Sequence, residues 1–412
     1  MGASYKKEIL LADERDRGFA AVVRAGPYLF VSGSDGHRST KTQAIDPAVT
    51  WQPETQSRNS YERIIRRLEE CGYSASCVLW LEHFVSSQEW LHLRLAIWRD
   101  YFGMSQTAGG GAQALMEGIN MVTTSVVAVV PDTERIVVDG PPQAPLPGPW
   151  TERAHWVERS YRPAFTLDNI RCARAVQAGD FIFTVGVRGH VDPDTGAVAP
   201  VETPAGFPAQ IRNCYAEYRA FLRKADRSLQ DLVRIDSHIR NVNRAEEYWT
   251  TCSAVLGGRV PFATAPIGMP VGGTGEMDMC AIAAAPGVSK EIAWFVERPE
   301  VAQAVRVGGL VFASGCNGLR DAKSGALLPQ LCGDVRQQAG QALRRLESAL
   351  ERFDIGLERV VRLDVVLRDI HLEDQFLEVL RQRCGRQWSA VTISGGDPVD
   401  RAEVELSAVA AA

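Results

Sequence analysis

Two carboxylates and two histidines stand at recurring places in this chain. Asp278 and Glu405 each come second in an apolar, β-rich run, Met277-Asp278-Met279-Cys280 and Val404-Glu405-Leu406-Ser407. Alternate residues of a strand share a face, so each carboxylate points away from its apolar neighbours. On a face that lines a cleft, such a group acts as general acid or base; on a face that meets water it does nothing. His37 and His190 each close a Gly-x-x-Gly turn, Gly33-Ser34-Asp35-Gly36-His37 and Gly186-Val187-Arg188-Gly189-His190. A neutral imidazole at a cleft mouth suits proton transfer near pH 7, and a plain polar turn residue is the alternative. Arg38, Arg188 and Arg320 lie in or beside the same loops. Each offers a bidentate grip on a carboxylate, against the blander role of a solvated surface arginine. His83 and His238 sit inside apolar strands and read as core histidines. Nothing points to a cofactor or metal. The nine cysteines form no Cys-x-x-Cys or Cys/His cluster and read as reduced thiols, Cys280 and Cys316 among them. Gly272-Gly273-Thr274-Gly275 lacks the strand-then-helix context of a phosphate loop.

The elements that must hold these residues recur three times. Leu29–Gly36, Ile182–Gly189 and Val311–Gly318 are apolar strands broken by Gly-x-x-Gly. A glycine there marks a bulge, a positive φ or a close backbone approach. Each copy leads to a helix headed by Gln56-x-x-Asn59, Gln210-x-x-Asn213 or Gln338-x-x-Gln341. An apolar strand, a capped second helix and a β-rich close come next, the last with Thr123, Asp278 and Glu405 at one position. The alignment sets His83 opposite His238 and Val366. Gly109-Gly110-Gly111 reads as a break. Self-similarity at such a period marks a repeat architecture. The division expected is repeat 1 at 1–131, a proline-rich linker at 132–170, repeat 2 at 171–287 and repeat 3 at 288–412.

The 412 residues are 45% hydrophobic and 23% charged with a net charge of −5, the balance of a soluble globular chain with no attraction for a polyanion. No nucleic-acid partner is therefore expected. The charged N-terminus carries no signal-like apolar stretch, and no run is long enough for a bilayer helix, so a cytoplasmic protein without a membrane partner is expected.

The order of apolar strand with Ser-Gly, turn, Gln-led helix, strand, capped helix and β-rich end resembles the RidA/YjgF family. The local matches are Arg24-Ala25-Gly26 with Phe30-Val31-Ser32-Gly33, Val176 to Phe183, the Asp194-Thr195-Gly196 turn, Val305 to Gly315, and Glu403-Val404-Glu405. The resemblance implies an α+β fold: three tandem RidA-like (chorismate-mutase-like) domains, set as an intramolecular pseudo-trimer with ligand clefts between them. A sheet with helices on one face must cover the other, and neighbouring repeats supply that cover. It also implies an arginine that grips the substrate carboxylate after a Pro-Ala motif. The matching stretches here are Pro261-Phe262-Ala263, Trp388-Ser389-Ala390 and Gly110-Gly111-Ala112, and all lack it. The family's glutamate matches Thr123, Asp278 and Glu405.

The expectation is a small-molecule enzyme with cofactor-independent acid–base chemistry, hydrolysing or tautomerising an imine or enamine in an interdomain cleft. Glu405, Asp278, His190 and His37 are the catalytic candidates, and Arg188, Arg320 and Arg38 the substrate-binding ones. Two alternatives stand beside it: a chorismatase-like hydrolase or lyase, since Gly36-His37 bears some likeness to those enzymes, and a non-catalytic metabolite-binding or scaffold protein. Because the chain supplies its own neighbours, a monomer or homodimer is expected.

Overall fold

In repeat 1, strands β1 (Lys7–Ala12), β2 (Ala20–Ala25) and β3 (Tyr28–Asp35) precede helix α1 (Pro53–Glu70), and β4 (Val78–Val85), β5 (Ala108–Gln113) and β6 (Val122–Val129) come after it. Repeat 2 has β7 (Arg135–Val138), β8 (Ala175–Ala178), β9 (Phe181–Thr184), α2 (Gly206–Lys224), β10 (Leu232–Ile239), α3 (Ala245–Leu256), β11 (Ala263–Gly268) and β12 (Met277–Ala284). Repeat 3 has β13 (Lys290–Trp294), β14 (Ala302–Val307), β15 (Leu310–Asn317), α4 (Val335–Glu351), β16 (Val360–Leu367), α5 (Glu373–Cys384), β17 (Ala390–Gly395) and β18 (Val404–Ala411). The structure is a computed structural model that describes residues 4–15, 17–87, 90, 97–98, 100–102, 108–116, 118–138, 173–200, 203–271, 275–386 and 388–412. The start of the capped second helix expected in repeat 1, at residues 86–89, and the Gly272–Gly275 stretch fall partly outside these residues. Among the described residues no helix is long and apolar enough to cross a membrane.

Strand order is the same in each repeat: β1-β2-β3-β6-β4-β5, β7-β8-β9-β12-β10-β11 and β13-β14-β15-β18-β16-β17. The fold is thus α+β with three like sheets. The fifth strand of each sheet runs parallel to the fourth and reaches the next repeat. β17 lies against β2 and β3, β5 against β9 and β12, and β11 against β14 and β15, so the three sheets close into a ring.

Two of these junctions share one device. Ser32 Oγ donates to Ala20 O and accepts from Val391 N, at 2.6 and 2.7 Å. Ser314 Oγ donates to Ala302 O and accepts from Thr264 N, at 2.6 and 3.0 Å. At the third junction the matching residue is Val185. There Gly186 N donates to Gly109 O and Trp80 Nε1 to Thr184 O, each at 3.1 Å.

Buried on both faces, the strands read as nearly continuous apolar runs. Their inner faces form one core around Tyr28, Phe30, Trp80, Phe181, Phe183 and Phe312. Their outer faces pack the helices of each repeat, around Tyr61 and Leu68, Tyr215 and Tyr218, and Leu343 and Leu346. The leading glutamines tie helix to sheet: Gln56, Gln210 and Gln338 accept from the N–H groups of Met121, Glu276 and Glu403 just before the last strands. Gly36, Gly189 and Gly318 pack so closely on these glutamines that a Cβ would collide with them.

Several expectations change. The linker begins later than residue 132, because β7 pairs with β8 inside the sheet of repeat 2; residues 139–172 lie outside the described set. Gly109-Gly110-Gly111 is not a break but part of β5, since an edge pressed against a neighbour leaves no room for side chains. The pairing registers set His83 level with Ser237, and Phe84 with His238 and Val366, one residue off the sequence alignment. They also put Ala108, not Gly110-Gly111-Ala112, level with Ala263 and Ala390.

Candidate active site

The fourth strands β4, β10 and β16 bring level residues together where the repeats meet. A register shift after Val78, Leu232 and Val360 recurs in all three and fixes which way the later residues face. From there, one face of each strand presents Trp80, Arg234 and Arg362, then Glu82, Asp236 and Asp364, then Phe84, His238 and Val366. The first two tiers form a buried charge network. Arg234 reaches Asp236 at 2.8 Å and Asp364 at 2.7 Å. Arg362 binds Asp364 at 2.8 Å and also Glu82, and lies over the Trp80 ring. Three carboxylates thus face two guanidiniums, because Trp80 stands where the other repeats have arginine. Burial, aided by the charges of Asp364 and Asp236, pushes the Glu82 carboxyl up to about 7 against the pull of Arg362.

The third tier opens into a small cavity. Phe84 comes from repeat 1, His238, Ile267 and Met269 from repeat 2, and Val366, Thr392, Ser394 and Glu405 from repeat 3. Glu405 stands on β18, level with Val366 on β16 and Asn317 on β15. It is 4% exposed, and its Oε2 has no hydrogen-bond partner. Burial first, and the Asp400 charge as well, push its carboxyl up to about 8, against a backbone hydrogen bond at Val399 and the Arg345 charge. The first glycine of the repeat-3 signature makes room for it: a Cβ on Gly315 would collide with Glu405 Oε1. His238 is likewise buried, its Nδ1 without a partner and its ring edge-on to Phe84 at 6.1 Å. Burial lowers its pKa despite the Asp278 and Asp236 charges, so the imidazole is neutral at pH 7. A protonated carboxyl and a neutral imidazole therefore share one largely apolar cleft.

The other expected site residues lie elsewhere. Asp278 accepts from Arg188 Nε at 3.1 Å, with its Oδ1 buried and unpartnered, beside the closed junction of repeats 1 and 2. His190 is close by; burial and the Arg188 charge lower it to about 4. The pairing of a last-strand carboxylate with a loop arginine is thus found at Asp278, not at Glu405. His37 is buried beside Asp35, and burial lowers its pKa. Arg38 donates to Gln43 O at 3.2 Å, and Arg320 grips Asp400 with bonds of 2.6 and 3.0 Å. None of the three candidate arginines lines the cavity, because each is engaged by a partner in its own repeat. His238, read from sequence as a core residue, does line it. The charge network was missed as well, although Arg234-x-Asp236 and Arg362-x-Asp364 are charged pairs inside otherwise apolar strands.

Residues 298–412 match the model of the family described as endoribonuclease L-PSP. No curated protein matches the chain. A crystal structure of a chorismatase is similar over 82% of this chain and 93% of its own, at 16% identity and a TM-score of 0.48. A member of the YjgF/YER057c/UK114 family from Mycobacterium tuberculosis is 26% identical over 30% of this chain and 100% of its own, with a TM-score of 0.26. A putative endoribonuclease L-PSP from Entamoeba histolytica is 22% identical over 30% and 100%, with a TM-score of 0.28. The family resemblance read from sequence is matched by the family model over the third repeat.

Proposed function

We propose that this chain is a small-molecule enzyme that carries out cofactor-free acid–base chemistry in the cleft where its three repeats meet. One observation carries the proposal: Glu405 is a buried carboxyl with a free oxygen, held protonated near pH 7, in a cavity shared with the neutral His238. A donor and an acceptor poised near working pH are what proton transfer needs. In an enamine-to-imine tautomerisation, the Glu405 carboxyl gives its proton to the enamine carbon. His238 Nδ1 takes the proton from nitrogen, and solvent exchange restores both groups. In imine hydrolysis the same carboxyl protonates the imine nitrogen before water adds to carbon.

The charges of the cavity bear on the substrate. Glu82, Asp236, Asp364 and Glu405 line it, and Arg234 is already engaged with Asp236, Asp364 and Ser407. With no spare cation on its wall among the described residues, the cleft suits a neutral or amine-bearing substrate rather than the 2-imino acid that a gripping arginine would select. Glu405→Gln keeps the shape and removes the proton. Against a panel of neutral enamines and imines, its turnover should fall about 10²- to 10⁴-fold. Turnover at the wild-type rate would show that Glu405 is not the acid.

The full engagement of Arg188, Arg320 and Arg234 favours a second reading, a binding protein without turnover. Saturable binding of panel members by wild type, with no product formed, decides for it.

A further inference from the structure

In repeat 3, Arg345 is buried on the outer side of the sheet and held on both sides: its Nη1 donates to Asp321 O at 3.0 Å, and its Nη2 meets Glu297 at 2.8 Å. Arg63 takes the corresponding place in repeat 1. It is likewise on the first helix, fully buried, with Nη1 donating to Asp35 O at 2.9 Å. The counterpart of Glu297 comes from the backbone. Asp13 N bonds Phe19 O across a loop of the same length as that in which Phe295 N bonds Val301 O. Counting along both loops sets Arg15 where Glu297 stands. The charge at this position is therefore reversed, and two arginines share a place built for an ion pair.

The consequence is written in their donors. Arg63 Nη2, the counterpart of the Arg345 Nη2 that meets Glu297, is buried with no acceptor, and so is Arg15 Nε; Arg63 Nε is idle too, as Arg345 Nε is. Arg15 reaches Asp35 at 2.9 Å, but Arg17 and Arg38 each come within 3.9 Å of the same carboxylate. Arg67 is taken by Glu14 at 2.8 Å and lies 3.7 Å from Asp13. Arg66 also reaches Glu14, at 3.1 Å, and Glu373 relieves Arg17 at 3.6 Å. Among the described residues, six guanidiniums thus face five carboxylates in this cluster, Glu70 also reaching Arg66 at 3.4 Å, and His37 beside them is neutral. Burial first, and the neighbouring guanidiniums as well, lower Arg63 to about 9 and Arg15 to about 10. A buried guanidinium left unpaired is costly, and an oxyanion with several acceptor oxygens is what the idle donors match.

We propose that repeat 1 binds a small oxyanion, of the phosphate or sulfate class, between Arg15 and Arg63 beside Asp35. This site is separate from the Glu405 cleft and does not depend on its chemistry.

Thermal unfolding of the full chain with sodium phosphate, sodium sulfate or sodium acetate, each at matched ionic strength in sodium chloride, tests it. Wild type should gain about 2–5 °C with phosphate and sulfate at concentrations well above Kd. Acetate, with two oxygens and one charge, should do less; an equal gain would make the ligand a carboxylate and overturn the assigned class. Arg15→Glu rebuilds the pair seen between Arg345 and Glu297. It should match or exceed wild type without added anion and show no phosphate shift. Arg15→Gln, which adds no new charge, should lose most of the shift. An unchanged phosphate shift in both variants, or none in wild type, overturns the site.

Discussion

Glu405 and Glu82 hold protons that an unfolded chain would release. Their folded pKa values of about 8 and about 7 lie above the ordinary carboxylate value of 4.5. Between those limits the folded state binds more protons than the unfolded state, so stability must fall as pH rises. His190 works the other way, because its folded value of about 4 lies below 6.5, and its effect is complete above that pH. From pH 6.5 to about 7.5 the two glutamates therefore dominate; nearer pH 8 Lys7 and Lys290, which burial lowers to about 8, begin to oppose them. Urea midpoints should decline across this window, with a slope of up to about 1.4 kcal/mol per pH unit for each group. Glu405→Gln should flatten the decline, and a slope unchanged by that substitution would remove Glu405 from the titration. The same residue shows why composition misleads here: nothing in Val404-Glu405-Leu406 reveals that both faces of β18 are covered.

At the scale of elements, the recurring glutamine and glycine owe their positions to contact. Gln338 donates to Leu331 O at 2.8 Å and accepts from Glu403 N at 2.7 Å, tying α4 to the entry of β18. Gln338→Ala strands both backbone groups, and should cost about 1–3 kcal/mol each by chemical denaturation, tempered by any water that enters. Gly110 is placed by its neighbour: a Cβ there would collide with Cys280 Sγ across the junction of repeats 1 and 2. Gly110→Ala should destabilise by about 1–3 kcal/mol, and Cys280→Ala in the same chain should recover part of that loss. Additive losses in the double variant would mean the two do not touch.

For the whole molecule, the buried charge network joins all three repeats. Arg234→Met leaves Asp236 and Asp364 with less compensation and should cost about 3–5 kcal/mol, seen as one cooperative shift rather than the melting of repeat 2 alone. A separate early transition for repeat 2 would show that the network does not couple the ring. Closure of the ring within one chain also bears on assembly. We expect light scattering to give the mass of one chain or two, since each fifth strand already has its neighbour inside the chain; a stable trimer of chains would contradict this.

The sequence by itself determined the repeat, the identity of most strands and the placement of Thr123, Asp278 and Glu405 at one position. These come from local chemistry: a strand's alternation, a helix led by glutamine, a glycine where a Cβ cannot fit. It could not place β5, β11 and β17, whose short runs carry Gly, Pro and Thr and become strands only against the next repeat. Nor could it choose among the candidate residues. Arg188, Arg320 and Arg38 look alike along the chain, yet each found a partner tens of residues away or in its own loop. His238 looked like core because its strand is apolar, and it faces the cavity because the register shift after Leu232 fixes which way the later residues of β10 point. Which carboxylate stays idle, and which arginine pair lost its counter-charge, depends on residues brought together from separate repeats. That juxtaposition is set by ring closure, which only the tertiary structure decides.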